Sequence, residues 1–97
     1  MTAGRLVRSA EAEEDLVRIW LRIAGDNPPA ADRLLSRIDE VCGLLAEQPK
    51  IGAAYDEVRP GLRLFAVRSY LVLYREIPGG AEIVRVLHSA MEWRKLL

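Results

Sequence analysis

The chain has 97 residues, of which 51% are apolar and 29% charged, as in a single globular domain rather than a disordered segment. There are 14 basic and 14 acidic residues, so the formal net charge is zero. This balance argues against a protein whose main role is to bind nucleic acid. The charge is unevenly distributed: residues 1–48 carry six basic and nine acidic side chains (−3), and residues 49–97 carry eight and five (+3). We therefore expect the second half to meet anions or acidic protein.

Cys42 is the single cysteine, which excludes an internal disulfide and a cysteine-based metal site. Its apolar neighbours Val41, Leu44 and Leu45 predict a buried structural thiol. The first residues include no apolar segment of signal-peptide length, and no apolar run approaches the roughly 20 residues that cross a bilayer. The sequence thus predicts a cytoplasmic protein with no membrane partner.

The first half of the chain predicts a short strand followed by two helices. Arg5–Arg8 has extended character, and Ser9 can cap a first helix whose first turn is acidic, as the helix dipole favours. After a break at residues 25–29, Asn27 and Pro28 are expected to begin a second helix that ends near Gln48. Both helices carry apolar residues at intervals of three and four: Ala12, Leu16, Ile19, Trp20 and Ile23 in the first, and Ala31, Leu34, Leu35, Ile38, Val41, Cys42 and Leu45 in the second. They are predicted to form a helical hairpin.

The second half predicts three strands, Leu62–Val67, Tyr70–Ile77 and Glu82–His88. The intervening breaks are short enough for antiparallel hairpins, and a short tail follows the last strand. The expected fold is one α+β domain over residues 1–97, in the order β-α-α-β-β-β. The helical hairpin should pack on one face of a mostly antiparallel sheet.

The chemistry available in the sequence is mainly that of arginine. His88 is the single histidine, and neither a nucleophile elbow nor a phosphate-binding glycine loop is present. No second His or Cys joins His88 as a metal ligand, and no cofactor is expected. Metal-independent RNA cleavage needs a base, a proton donor and cations, and the candidates are Arg63, Arg75, Arg85 and His88. The alternatives are that the arginines occupy a solvated sheet face and that His88 has a structural hydrogen-bonding role.

Residues 15–93 resemble the ParE branch of the RelE/ParE toxin superfamily. The resemblance rests on short pieces in the family's order and spacing: Asp15-Leu16, Ile19-Trp20, Ile23-Ala24, Asn27-Pro28, Ala30-Ala31, Pro49, Gly52, Arg59-Pro60-Gly61-Leu62-Arg63, Tyr70, Tyr74-Arg75 and Val86-Leu87-His88. It implies a toxin of a type II toxin-antitoxin system, neutralised by a ParD-like antitoxin. That antitoxin would bind operator DNA through its N-terminal part and wrap the toxin with its C-terminal segment.

The two branches of the superfamily imply different targets. ParE-like toxins are associated with poisoning DNA gyrase, whereas RelE-like toxins cut messenger RNA on the ribosome. Leu71 stands where RelE-like nucleases often have an arginine, and no tyrosine follows His88. These departures and the zero net charge favour a gyrase inhibitor that is not an enzyme, with the ribonuclease as the alternative. Ala90 replaces an arginine common among ParE relatives, so a third interpretation is an attenuated toxin that only binds its antitoxin.

The resemblance also suggests where partners would bind. An antitoxin segment could occupy a groove on the helical hairpin, and strand arginines could pair with its acidic residues. The predicted antitoxin contacts are Leu16, Trp20, Leu34, Leu35, Ile38, Arg59, Arg63, Arg68 and Arg75. The alternative for the apolar members is that they lie in the chain's own core. The predicted target contacts are His88, Met91 and Trp93.

Overall fold

The computed structural model describes residues 4–97, so the first three residues of the predicted domain lie outside the described residues. Its elements are strand β1 (Arg5–Arg8), helices α1 (Ala10–Ala24) and α2 (Pro28–Glu47), strands β2 (Ala53–Ala54), β3 (Leu62–Val67), β4 (Tyr70–Ile77) and β5 (Gly80–His88), and a C-terminal 3-10 helix (Trp93–Leu96). The predicted α+β order is confirmed, and the two-residue strand β2 is an addition to it. Because β2 consists of two alanines, its sequence has none of the alternation by which strands are recognised.

Both helices begin where the sequence predicts. The Ser9 side chain accepts a hydrogen bond from the backbone N–H of Ala12 (3.0 Å). Asn27 accepts one from Ala30 (3.1 Å), with Pro28 at the first helical position. These caps satisfy backbone donors that a helix leaves without partners in its first turn.

The five strands form one sheet in the order β1-β5-β4-β3-β2. β1 lies parallel to β5, and the other neighbours are antiparallel. β4 and β5 shift register between Leu73 and Tyr74: Leu73 pairs with Arg85 and Tyr74 with Ile83, so Val84 has no partner in β4. This is a β-bulge, which redirects the strand and its side chains.

The helices pack on one face of the sheet, as predicted, and enclose the larger hydrophobic core. Tyr74 and Ile38 are the largest of its fully buried side chains, and Cys42 is also fully buried there, which confirms the predicted thiol environment. Strand residues alternate between faces, so Leu73, between Val72 and Tyr74, points to the opposite side. There a smaller cluster of Leu62, Leu73 and Leu87 is covered by Tyr55, Val58, Leu64, Trp93 and Leu97.

Candidate functional site

A buried charge cluster joins α1 to β5. Asp15 is only 2% exposed, and its carboxylate accepts hydrogen bonds from Arg85 Nε (2.8 Å) and Nη2 (3.0 Å). It also accepts from the backbone N–H of Val86 (3.0 Å) and from Arg18 Nη1 (3.2 Å). Two-point contact between a guanidinium and a carboxylate is the strongest form of this pairing. Asp15 is therefore fully coordinated and holds Arg85 in one orientation.

The cluster closes an edge of β5 that β1 leaves uncovered. The pairing of β1 with β5 ends at Ile83, and the bulge follows at Val84. Ser9 donates its hydroxyl hydrogen bond to the Val84 carbonyl (2.7 Å), while Asp15 receives the Val86 N–H. The start of α1 thus supplies the partners that a longer β1 would have given, and buried backbone groups remain paired.

Arg85 is held as a cation. The hydrogen bonds that Arg85 donates to Asp15, together with the negative charges of Asp15, Glu11 and Glu14, raise the pKa of the Arg85 guanidinium. A group whose proton is bound more tightly than usual is a poor general acid. Its role in this arrangement is to carry fixed positive charge.

His88 ends β5 beside a small cavity. Its ring lies edge-on to Tyr70, with centroids 5.1 Å apart, and its Nδ1 accepts a hydrogen bond from the Ala90 N–H (3.0 Å). The proton of the neutral imidazole is therefore on Nε2. A cavity of about 110 Å³ here is lined by Asp15, Arg18, Ile19, Arg22, Tyr70, Arg85, Val86, Leu87, His88 and Met91.

Arg63 and Tyr74 anchor the loop between α2 and β2. Arg63 Nη1 donates to the carbonyls of Gly52 (2.7 Å) and Lys50 (3.2 Å). The Tyr74 hydroxyl donates to the Pro49 carbonyl (2.8 Å) and accepts from the Gly52 N–H (2.8 Å). Burial raises the pKa of this phenol. Both side chains therefore have structural partners within the chain.

Arg75 forms an ion pair with Glu82 on the neighbouring strand. Its Nε donates to Glu82 Oε1 at 2.6 Å, and the two residues are register partners in β4 and β5. Arg75 and Arg63 line a second cavity, of about 550 Å³, together with Ala54, Asp56, Pro60, Gly61, Leu62, Glu76, Ile77, Pro78 and Gly79.

The four candidate nuclease residues are divided between these two cavities. Arg63 and Arg75 line the larger one and Arg85 and His88 the smaller one, and each of the three arginines already has an acidic or carbonyl partner. An RNA-cleaving site needs its base, acid and cations around one phosphate. The structure does not bring these four side chains around one cavity.

The apolar residues predicted to bind an antitoxin fall into two groups. Leu16, Leu34 and Ile38 are buried in the core between helices and sheet, so the alternative that they belong to the chain's own core describes them correctly. These side chains face the sheet because they lie on the inner stripe of each helix, and their contact with an antitoxin stays a prediction. Leu35 is half-buried, and Trp20 is 37% exposed and donates its Nε1 hydrogen bond to Asp32 (2.8 Å).

α1 also exposes two large apolar side chains. Val17 is 60% and Leu21 62% exposed, and they lie one turn apart, since residues four positions apart share a helix face. With Trp20 they form what we call the outer α1 patch, defined as Val17, Trp20 and Leu21.

Two of the arginines predicted to contact an antitoxin, Arg59 and Arg68, are exposed. Arg68 adopts φ 54° at the tip of the β3–β4 hairpin.

The three predicted target contacts do not share one pocket. His88 and Met91 line the 110 Å³ cavity, and Met91 is 48% exposed. Trp93 instead packs edge-on against Tyr55, with ring centroids 5.5 Å apart, and Arg94 lies over both rings. Trp93 therefore anchors the tail on the second face of the sheet.

Comparison with known protein families identifies the family of this chain. Residues 6–93 match the sequence model described as ParE toxin of type II toxin-antitoxin system, parDE. The chain belongs to the ParE toxin family. The match spans the helical hairpin, the sheet, the Asp15–Arg85 cluster and His88.

Similar proteins with known names support the same family assignment. The chain is 34% identical over 89 residues to Toxin ParE3 of Caulobacter vibrioides, covering 91% of this chain and 89% of the relative. It is 36% identical over 92 residues to Toxin ParE1 of Mycobacterium tuberculosis, covering 93% and 94%. A solved chain described as "Chromosomal ParDE TA system from P. aeruginosa" superposes with a TM-score of 0.74 at 20% identity, covering 89% of this chain and 96% of that one. This last likeness shows the fold alone.

Asp15 is the residue that sequence reasoning missed in this ParE-family chain. The sequence places it in the acidic start of the first helix and in the Asp15-Leu16 piece of the family resemblance, but assigns it no partner. A signal was present, since Ala12, Asp15, Leu16 and Ile19 follow the intervals of a buried helical face. A charged residue on such a face requires a partner of opposite charge.

Among residues 4–97, no helix combines the length and apolar composition needed to cross a membrane.

Proposed function

We propose that this ParE-family chain is the toxin of a type II toxin-antitoxin pair, that a ParD-like antitoxin neutralises it, and that it inhibits DNA gyrase without catalysing a reaction of its own. The observation that carries the proposal is the family match over residues 6–93. Supporting it, the nuclease candidates lie at two separate cavities, and their arginines are engaged by Glu82, Asp15 and backbone carbonyls.

The test of the target is expression of the chain without its antitoxin. We expect growth arrest, induction of the DNA-damage response and intact messenger RNA. Purified chain should likewise inhibit supercoiling by gyrase and increase the amount of cleaved DNA. Rapid cleavage of ribosome-bound messenger RNA would instead establish the ribonuclease alternative. Absence of any growth defect would favour the attenuated toxin.

Ala90 provides a test of attenuation. It is exposed in the turn after β5, and its contact with His88 is made through the backbone N–H. Ala90→Arg therefore restores the family arginine without removing that hydrogen bond. If the missing arginine weakens the toxin, this variant should arrest growth at a lower expression level than the unmodified chain. Equal toxicity of the two would dismiss this explanation.

The outer α1 patch is the proposed contact for the antitoxin. Exposed apolar side chains clustered on one helix are the usual anchors for a binding helix or strand. Arg59 and Arg68 are exposed cations that fit acidic residues of a wrapping segment. In this proposal Leu16, Leu34 and Ile38 support the patch from within the core.

Charge placed on the patch tests this contact. Leu21→Asp should weaken co-purification with a ParD-like protein encoded beside the chain, because it buries an unpaired charge in the interface. Leu44→Asp is the matched control, since Leu44 is also exposed (38%) but lies on α2. Equal retention of the antitoxin by both variants would place the interface elsewhere.

A further inference from the structure

The 110 Å³ cavity between α1 and the end of β5 has a composition suited to one kind of ligand. Its wall includes three arginines, Arg18, Arg22 and Arg85, and one acid, Asp15. The formal charge of the lining is thus +2 (three positive, one negative) with His88 neutral. A positive pocket walled by a folded scaffold concentrates anions.

Many donors at this cavity are left over after Asp15 is coordinated. Arg85 uses Nε and Nη2 for Asp15, and Arg18 uses Nη1. Arg85 Nη1 and the other nitrogens of Arg18 remain, and the Arg22 guanidinium pairs with no acid of residues 4–97. The Nε2–H of His88 is a further donor, because its Nδ1 is occupied by Ala90. Glu11 and Glu14 act on Arg85 from the start of α1, yet neither lines the cavity.

The rest of the lining is apolar. Ile19, Val86 and Leu87 are buried, and Met91 and Tyr70 complete the wall. A ligand that matches both the charged and the apolar part of the lining has a negatively charged group at the end of a short aliphatic chain. The side chain of a glutamate or aspartate has this form, whereas a phosphodiester backbone is polar along its length and would leave the apolar wall uncovered.

We propose that this cavity binds a carboxylate side chain presented by a protein partner, with Arg22 and His88 contacting the carboxylate and the Asp15–Arg85 pair forming a rigid back wall. The proposal deepens the proposed function and rests on it for the identity of the partner, which is the antitoxin or the target. The chemistry of the ligand does not depend on that choice. Arg22 and Met91 are exposed enough to be reached from outside.

A titration of the full-length chain tests the ligand chemistry directly. The probes are acetyl-glutamate-amide, the uncharged isostere acetyl-glutamine-amide, and inorganic phosphate, each added at low ionic strength to ¹⁵N-labelled protein. We expect saturable NMR shifts at the backbone amides of Val86 and Ala90 with the glutamate probe alone. Arg22→Gln should weaken that binding about threefold, the size of an exposed ion pair. Arg37→Gln is the control, since Arg37 is an exposed cation on α2 paired with Glu40.

Several outcomes would overturn the proposal: equal shifts with the glutamine probe, no effect of Arg22→Gln, or saturation by phosphate without saturation by glutamate. The last result would identify a phosphate site instead. Because this titration requires neither toxicity nor an antitoxin, it stands even if the proposed function fails.

Charge reversal at Arg22 then distinguishes the two sources of the carboxylate. If Arg22→Glu loses the antitoxin and keeps growth inhibition, the ligand belongs to the antitoxin. If it keeps the antitoxin and loses growth inhibition, the ligand belongs to the target. If both activities match those of Arg37→Glu, the cavity is not an interface and the proposal is wrong.

Discussion

Replacing Asp15 with asparagine should destabilise the chain more than any surface substitution on α1. Asparagine keeps an oxygen that can accept the Val86 N–H, but it removes the negative charge that faces Arg85. Arg85 has a side chain only 19% exposed, so its positive charge would be left largely buried without a partner. The cost of breaking a buried ion pair from one side is about 3–5 kcal/mol.

The magnitude belongs at the lower end of that range. Part of Arg85 reaches solvent, and Arg18, the second cation on Asp15, has a side chain 68% exposed and gains water on release. We therefore expect a loss of about 3 kcal/mol in the free energy of unfolding. For a domain of this size that is a large share of the ~5–15 kcal/mol total.

Urea unfolding followed by circular dichroism measures this loss as a lower transition midpoint. The control is Glu40→Gln, which breaks an exposed pair with Arg37 on α2 and should cost no more than about 1 kcal/mol. In the background of Asp15→Asn, Arg85→Met should recover part of the stability, because it removes the unpaired charge and keeps the apolar volume. A cost for Asp15→Asn as small as that of Glu40→Gln, or no recovery in the double variant, would refute the reasoning.

Three further predictions concern the core and its loops. Burial raises the pKa of the Cys42 thiol from 9.0 to about 11, so its contribution to stability is complete below pH 9 and is lost as the pH rises towards 11. Between about pH 8 and about pH 10.5 the unmodified chain should lose about 2 kcal/mol more unfolding free energy than Cys42→Ala, and parallel pH profiles would contradict this. Tyr74→Phe leaves the Gly52 N–H and the Pro49 carbonyl without the hydroxyl and should cost about 1–3 kcal/mol in urea unfolding; an unchanged midpoint would mean that the hydroxyl does not hold the loop. Gly43→Ala, inside α2 where a Cβ would meet nothing within 4 Å, should raise the thermal midpoint through a gain of about 0.5–1 kcal/mol, and a lower midpoint would argue against it.

The elements of the fold could be predicted because their signals are local. Ser9 and Asn27 are capping residues directly before apolar helical patterns, and the structure begins both helices there. The predicted bounds of Leu62–Val67 and Tyr70–Ile77 are confirmed, because alternating apolar residues end at short turns. The last strand begins at Gly80 rather than Glu82, since a glycine in a turn gives no sign that it pairs with a neighbouring strand.

The candidate site was less accessible to sequence reasoning. Arg63, Arg75 and Arg85 look alike in the sequence, as cations between apolar neighbours. The structure separates them by their partners: loop carbonyls for Arg63, Glu82 for Arg75, and Asp15 for Arg85. Asp15 and Arg85 are 70 residues apart in the chain, and no local pattern records which distant charges meet.

The sequence by itself determined the two helices, four of the five strands, the apolar stripes that form the core and the resemblance to a toxin family, because each depends on residues a few positions apart. Only the tertiary structure decided that Leu16, Leu34 and Ile38 are interior while Val17 and Leu21 are exposed. It also decided that Asp15 is held by Arg85 across the bulge at Val84. The physical reason is that burial and ion pairing depend on how α1 lies against β5, and many contacts far apart in the chain set that geometry together.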